Sequence, residues 1–195
     1  MLNQFVKNSF TQNYKATVGV DILSRQIKIE DKSVQLILWD TAGQERTKTF
    51  TANFYHDTEG CILVFDLTNK LSFEEVDFWR KEFLNKLQPP EGDDYPFIVI
   101  GNKCDIENIP FVKEKDIKEY CSSHYNIPYF LCSAKTADNV DDAFTKIAEL
   151  ALNRVNKKKI TISEEVKFIK IDSEKEKKKK QEESNDQKNN KFCCL

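Results

Sequence analysis

The stretch PFIVIGNKCD (residues 96–105) decides the fold class, because a wholly apolar run leads directly into a polar loop. Two other runs, CILVFDLT (61–68) and IPYFLCSA (127–134), have the same character. Strands that are apolar throughout are covered on both faces, as in a parallel sheet between two layers of helices. The sequence therefore predicts strands that alternate with helices in an α/β fold.

Three segments with helical periodicity lie between and after these apolar runs, at residues 71–87, 112–125 and 140–155. The first helix is expected to begin with a capping box formed by Ser72 and Glu75, and the last is expected to be capped by Asn139. The opening stretch MLNQFVKNSF (1–10) also has helical spacing. One apolar face is predicted for each of two helices: Leu2, Phe5 and Val6 in the opening one, and Phe73, Val76, Phe83 and Leu87 in 71–87.

Two further strands are predicted at SRQIKIED (24–31) and VQLILWD (34–40), joined by a short turn at Asp31, Lys32 and Ser33 as an antiparallel hairpin. The whole pattern predicts a doubly wound, mostly parallel sheet with one antiparallel edge hairpin. Ligands of such sheets bind beyond the carboxyl ends of the strands. Functional residues are therefore expected at the strand ends.

The composition excludes several classes of protein. A net charge of −2 over 195 residues gives no basic field for nucleic acid, and no apolar run approaches the ~18 residues of a membrane span. No charged-then-apolar leader is present, so a secretory signal is not expected. None of the six cysteines forms a C-x-x-C pair, and four lie inside apolar runs, which is typical of reduced thiols in the cytosol.

The predicted strand 34–40 ends in Asp40, followed by Gly43 and Gln44. A carboxylate in this place can hold a divalent cation, and a glycine three residues later lets a backbone N–H approach a phosphate oxygen. A glutamine beside that glycine can orient a water molecule. Taken alone, a D-x-x-G sequence is more often simply a turn.

The next two strand ends carry polar residues that suit a guanine base. In GNKCD, the Asp105 carboxylate can accept two N–H donors of guanine, the Lys103 stem can cover a face of the base, and Asn102 can tie the loops together. In SAK (133–135), backbone N–H groups can meet the base oxygen. Three such motifs at three strand ends predict a guanine-nucleotide site.

These motifs, WDTAGQE (39–45), GNKCD (101–105) and CSAK (132–135), resemble the nucleotide motifs of the Ras superfamily of small GTPases. The stretches VGVDI (18–22), LILWDTAGQER (36–46) and LVFDLTN (63–69) resemble the Rab proteins. YKATVGVD (14–21), FWRKEFL (78–84) and NIPYF (126–130) resemble the late-endosomal and lysosomal Rab branch. The sequence departs from the family pattern at Thr47, where an aromatic residue is usual, at HDTEG (56–60), and at Cys104 in N-K-x-D.

The resemblance implies a P-loop NTPase G domain that binds GTP or GDP with Mg²⁺ and switches between two states. It implies that Thr17 and Asp40 bind Mg²⁺, Gly43 contacts the γ-phosphate, Gln44 positions the attacking water, and Tyr14 lies over the nucleotide. The implied nucleotide-binding set is completed by Asn102, Lys103, Asp105, Ser133, Ala134 and Lys135. The implied partners of a monomeric switch are effectors, activating and exchange proteins and a prenylation escort, with no nucleic acid.

The phosphate-binding run of this family, G-x-x-x-x-G-K-[ST], does not occur anywhere in the 195 residues. MLNQFVKNSF resembles the helix that follows that run, so the G domain is expected to lack its central first strand. About five charge-assisted hydrogen bonds at ~1.5–3 kcal/mol each would be lost, which predicts impaired nucleotide binding and hydrolysis. Two hypotheses stay open: an incomplete record of a full GTPase, or a degenerate GTPase that works by binding or not at all. An alternative of another class is a membrane-tethered interaction module that does not switch.

The predicted domain organisation is a truncated G domain (1–155), a flexible tail (156–191) and a prenylation signal (192–195). ITISEEVKFIKID (160–172) could dock on a partner as an extended strand, and Lys177–Lys180 could favour an anionic membrane or serve as a solvated linker. Phe192 stands where a C-a-a-X box requires cysteine, so the chain does not end in such a box. The adjacent pair Cys193 and Cys194 resembles the double-lipidation signal of Rab proteins. The expected location is cytoplasmic and peripheral on endosomal, lysosomal or other vesicle membranes.

Overall fold

A computed structural model describes residues 1–12, 17, 20–41, 58–106 and 112–159. The chain divides into two units, Met1–Leu152 and Asn153–Leu195. In the second unit the described residues, 153–159, are helical. The tail from residue 160 onward, including the predicted docking strand, the lysine run and the lipidation signal, lies outside the described residues.

The first unit alternates strands and helices as the sequence predicts. Its elements are α1 (Leu2–Lys7), β1 (Val20–Ile29), β2 (Lys32–Thr41), β3 (Cys61–Asp66), α2 (Lys70–Glu74), α3 (Val76–Leu87), a short 3-10 helix (Gly92–Asp94), β4 (Phe97–Asn102), α4 (Glu114–Ser123), β5 (Tyr129–Cys132) and α5, helical from residue 140 to the end of the unit at 152.

The strands form a parallel sheet and an antiparallel hairpin, so the predicted α/β class is confirmed. β3, β4 and β5 are parallel neighbours in that order, and β1 pairs antiparallel with β2 along all ten residues. In the described part of the chain, β2 and β3 are not hydrogen-bonded to each other, so these five strands make two separate sheets.

Two apolar clusters hold these elements together. One lies on the side of the parallel sheet that carries α2, α3 and α4 and includes Leu63, Phe65 and Phe83. The other joins α1 and α5 to the hairpin and to β4, and it is centred on Phe5, Phe144 and Ile98. Because this second cluster contains residues of both sheets, α1 packing connects the hairpin to the parallel sheet.

The predicted apolar faces are confirmed. Phe5 is buried while Leu2 and Val6 pack beside it, and Val76 and Phe83 are buried while Phe73 and Leu87 pack against the same cluster. The four described cysteines are free thiols. Burial raises the pKa of Cys61 and Cys132 to about 12 and that of Cys121 to about 11, which makes these thiols unreactive at neutral pH.

Two local predictions are wrong. The hairpin turn is Glu30–Asp31, with Glu30 in the left-handed region at φ 53°, and β2 already begins at Lys32. The segment 71–87 forms two helices instead of one, and Asn69 caps the first by accepting hydrogen bonds from two backbone N–H groups. The Ser72 hydroxyl instead donates to the Asn69 carbonyl at 2.7 Å, so no capping box forms with Glu75.

Asn139 takes the position predicted for the cap of α5, but its side chain has another partner. Its carbonyl accepts the first helical hydrogen bond, from the Ala143 N–H at 3.1 Å. Its side-chain amide donates to the Leu131 carbonyl at 2.7 Å. Asn139 therefore fastens the start of α5 to β5.

Candidate functional site

The loops that follow β4 and β5 lie side by side because their strands are parallel neighbours. The Ala134 N–H donates to the Asn102 side-chain oxygen at 3.0 Å, and the Cys104 N–H donates to the Cys132 carbonyl at 3.0 Å. These bonds join the loops across the edge of the sheet. Backbone N–H groups of SAK were predicted to meet the base oxygen, and one of them, that of Ala134, donates to Asn102 in this structure.

Asp105 is held in place by residues of the β5 loop. The fully buried Ser133 donates its hydroxyl hydrogen to Asp105 Oδ1 at 2.6 Å, and Lys135 Nζ lies 3.8 Å from Asp105 Oδ2. The Ser133 hydroxyl also accepts from the backbone N–H groups of Lys135 and Thr136, at 3.1 and 3.0 Å. A carboxylate has about four acceptor positions, so Asp105 keeps positions for further N–H donors.

A cavity of about 300 Å³ opens at these loops. Its wall combines apolar surface with a few polar groups, which is the usual character of a small-molecule site. The lining residues are Phe10, Asn102, Lys103, Asp105, Ile106, Ala134 and Lys135. Five of the six residues predicted from the sequence for the base therefore share one cavity. The sixth, Ser133, does not line it but donates a hydrogen bond to Asp105.

Two residues of this region were not predicted from the sequence. Phe10 lines the cavity and is 47% exposed, so its ring is available to a planar ligand. Asp66, the last residue of β3, accepts a hydrogen bond from Lys103 Nζ at 2.6 Å. The sequence held a signal for Asp66, because a carboxylate ends the apolar run LVFD in the same way that Asp40 ends the predicted strand 34–40.

The second predicted group, Thr17 and Asp40, is also brought together. The Thr17 hydroxyl donates to Asp40 Oδ2 at 3.3 Å, and Asp40 stands opposite Asp21 in the hairpin register. Burial raises the pKa of Asp40 and outweighs the hydrogen bond from Thr17, while the charge of Asp21 raises it further. A second cavity of about 320 Å³ is lined by Asp40 and Asp21 together with residues of α1 and β1.

A hydroxyl and a carboxylate are oxygen donors of the kind that Mg²⁺ prefers, so Thr17 and Asp40 fit that ion chemically. A bound cation would relieve the unfavourable environment of the Asp40 charge. In the described ranges, no cluster of three or more His, Cys, Asp or Glu side chains could hold a metal by itself. The remaining predicted residues, Tyr14, Gly43, Gln44, Cys193 and Cys194, lie outside the described residues, as does Thr47.

Comparison with known proteins identifies the family. The model of the Ras family matches residues 1–153. The chain belongs to the Ras family. Within it, the chain is similar to Ras-related protein Rab-7b of Paramecium octaurelia, with 41% identity over 176 residues that cover 90% of this chain and 85% of the relative. It is 42% identical to Ras-related protein Rab7 of Prunus armeniaca over 168 residues, which cover 85% of this chain and 81% of that protein.

This Ras-family chain is also 45% identical to Ras-related protein RABG3b of Arabidopsis thaliana, over 78% of this chain and 76% of the relative. Such relatives confirm the interpretation of the sequence as a Rab protein of the late-endosomal branch, and with it the Ras-like G-domain fold. In the described part of the chain, no helix combines the length and apolar character that crossing a membrane requires.

Proposed function

We propose that this chain is a Rab-type guanine-nucleotide switch of vesicle trafficking. The observation that carries the proposal is the cavity after β4 and β5, where Asp105 stands fixed by Ser133 beside Asn102, Lys103 and Phe10. The N1–H and amino group of guanine are two adjacent donors, which suit a carboxylate. Adenine lacks this pair of donors and would leave the partly buried Asp105 acceptors unmatched.

The phosphate end of the ligand is assigned to Thr17, Asp40, Gly43 and Gln44. Thr17 and Asp40 would hold Mg²⁺, which would neutralise the developing phosphate charge during hydrolysis. Gln44 would position the attacking water and Gly43 would contact the γ-phosphate, while Tyr14 would lie over the nucleotide. Loss of the γ-phosphate would then release the segments that contain Thr17 and Gly43.

We infer that the 195-residue polypeptide binds nucleotide weakly, because its sequence contains no G-x-x-x-x-G-K-[ST] run to cradle the phosphates. The missing hydrogen bonds correspond to roughly 7–15 kcal/mol, enough to turn nanomolar into millimolar affinity. The alternative function is a membrane-tethered module that binds partners without turnover. GTP hydrolysis separates the two functions, because only a switch would turn over.

The membrane part of the proposal rests on the sequence of the tail. Two lipids on Cys193 and Cys194 would give stable anchoring, whereas one lipid gives marginal binding. The proposed location is the cytoplasmic face of late endosomal, lysosomal or other vesicle membranes. Effectors, activating and exchange proteins and a prenylation escort are the proposed partners.

The experiment compares two purified polypeptides, the 195-residue chain and an extended chain in which a strand and a G-x-x-x-x-G-K-[ST] run precede Met1. Binding of GDP and hydrolysis of GTP are measured for each in the presence of Mg²⁺. We expect millimolar or weaker binding by the first and at least a thousandfold gain for the second, on the order of 4 kcal/mol. Submicromolar GDP binding by the 195-residue chain would contradict the proposed weakness.

A further inference from the structure

The ammonium group of Lys103 is already bound within the protein, although its side chain lines the cavity proposed for the base. Lys103 Nζ donates to Asp66 Oδ2 at 2.6 Å, and the two side chains are 48% and 25% exposed. The two residues are 37 positions apart in sequence, so the fold itself creates this pair. A partly exposed ion pair such as this one adds little to the free energy of unfolding. Its main consequence is therefore the position that it gives to the Lys103 side chain.

The Asp66 carboxylate is in turn fixed by its own loop. Its Oδ1 accepts both the backbone N–H of Thr68 at 2.8 Å and the Thr68 hydroxyl at 2.7 Å. Its backbone N–H donates to the Ser72 hydroxyl at 3.0 Å. Burial would raise the pKa of Asp66, but the hydrogen bonds from Lys103 and Thr68 outweigh it and hold the pKa below its usual value. The acceptor for Lys103 is therefore charged at neutral pH and does not swing freely.

The backbone also holds the ends of β3 and β4, and thus Asp66 and Lys103, close together. Asp66 lies opposite Asn102 at the end of the parallel pair β3–β4, and the Leu67 N–H donates to the Asn102 carbonyl at 3.0 Å. Gly101 permits this close approach, because a Cβ atom there would lie 2.9 Å from a methyl group of Leu67. Lys103 itself has φ 69°, a left-handed conformation that fixes where its side chain begins. Both ends of the lysine stem are thus constrained.

We propose that Asp66 is a positioning residue for the base: its carboxylate holds the Lys103 ammonium, so that the lysine stem is already ordered along the cavity wall when guanine enters. This inference rests on the proposed function. A free lysine would lose rotamer freedom on binding, whereas the tethered one has already lost it. Asp66 does not have to touch the ligand for this effect.

The test is a double-mutant cycle on the full 195-residue chain with GDP and Mg²⁺, in which dissociation constants are measured by NMR titration. The variants are Asp66→Asn, Lys103→Met and their combination. We expect Asp66→Asn to weaken GDP binding about three- to tenfold, the effect of disordering one long side chain. Lys103→Met is expected to weaken it at least as much, and the double variant no further than Lys103→Met alone.

The matched control is Asp77→Asn. Asp77 also carries a carboxylate that forms an ion pair, with Lys81 at 2.7 Å, and its side chain is 31% exposed, but it does not line the cavity. We expect GDP binding by this variant to equal that of the wild type. The conservative variant Asp66→Glu, which keeps a carboxylate, is expected to recover part of the affinity lost in Asp66→Asn.

Equal GDP binding by the wild type and Asp66→Asn would overturn this inference alone. A full Asp66→Asn effect in the Lys103→Met background would also overturn it, because Asp66 would then act by another route. Because weak binding by the 195-residue chain is expected, absence of GDP binding by the extended chain, in which the G-x-x-x-x-G-K-[ST] run precedes Met1, would overturn the proposed function and this inference with it. Because Asp66→Asn also removes a stabilising ion pair, Thr68→Val serves as a second variant in the cycle. A smaller loss of GDP affinity is expected for it, and no loss would contradict the inference.

Discussion

Replacement of Ser133 by alanine should destabilise the fold more than its small size suggests. The serine side chain is fully buried, donates to the Asp105 carboxylate and accepts from two backbone N–H groups. The bond to a charged acceptor contributes ~1.5–3 kcal/mol, and each neutral bond contributes about 1 kcal/mol. Water can reach the exposed Lys135 and Thr136 and partly replace the last two bonds. The expected loss is about 2–4 kcal/mol.

Urea unfolding at neutral pH, followed by far-UV circular dichroism, measures this loss for Ser133→Ala. Thr136→Ala is the matched control, because its hydroxyl bonds only to the exposed Asp138 and its removal should cost about 0.5 kcal/mol or less. An unchanged slope with a lower midpoint would indicate lost stability, not a changed unfolded state. If Ser133→Ala costs no more than Thr136→Ala, the reasoning about Asp105 and its support is refuted.

The other predictions use the same unfolding measurement. In EDTA without nucleotide at pH 7, Asp40→Asn should raise the urea midpoint, because burial raises the pKa of Asp40 and ionisation therefore disfavours the folded state; a lower midpoint would argue against this. Phe5→Ala should lower the free energy of unfolding by about 3–5 kcal/mol, because Phe5 is buried. Of this, ~0.5–1.5 kcal/mol should be coupling to Phe144, whose ring stacks on that of Phe5 with the centroids 4.1 Å apart; a loss under ~1 kcal/mol in total would contradict this packing. The pKa values of Asp66 and Asp77 are lowered despite burial, so these carboxylates stabilise the fold fully above about pH 4, and this stabilisation is lost as pH falls through the lower folded pKa. The urea midpoint of the double variant D66N/D77N should therefore fall less steeply with acid than that of the wild type, and an equally steep fall would count against this.

The sequence predicted much of the site because strand-end residues are close in space whenever their strands are neighbours. N-K-x-D and SAK follow two adjacent parallel strands, and the shared cavity follows from that topology. Asp66 ends an apolar run as Asp40 does, but its pairing with Lys103 was missed because that pair is set by tertiary structure and not by spacing. Phe10 was missed because an exposed aromatic residue in a polar run has no periodic signal.

Local capping and turn chemistry was harder to predict. Ser72 and Glu75 have the spacing of a capping box, yet the Ser72 N–H donates to the Asn69 side chain and the Glu75 N–H donates to the Leu71 carbonyl. The hairpin turn lies at Glu30–Asp31 and not over residues 31–33. Glu30 has a left-handed conformation there, which is unusual for a residue other than glycine, asparagine or aspartate. Both errors concern choices between neighbouring polar side chains, where free-energy differences are small.

Guanine specificity is the central claim, and a paired NMR titration of the ¹⁵N-labelled 195-residue chain tests it most directly. GDP and ADP are added separately with Mg²⁺ up to millimolar concentration. GDP should shift the backbone signals of Asn102, Lys103, Asp105 and Ala134, and ADP at equal concentration should leave them in place. Equal shifts with both nucleotides, or larger shifts with ADP, would contradict the claim that Asp105 reads guanine.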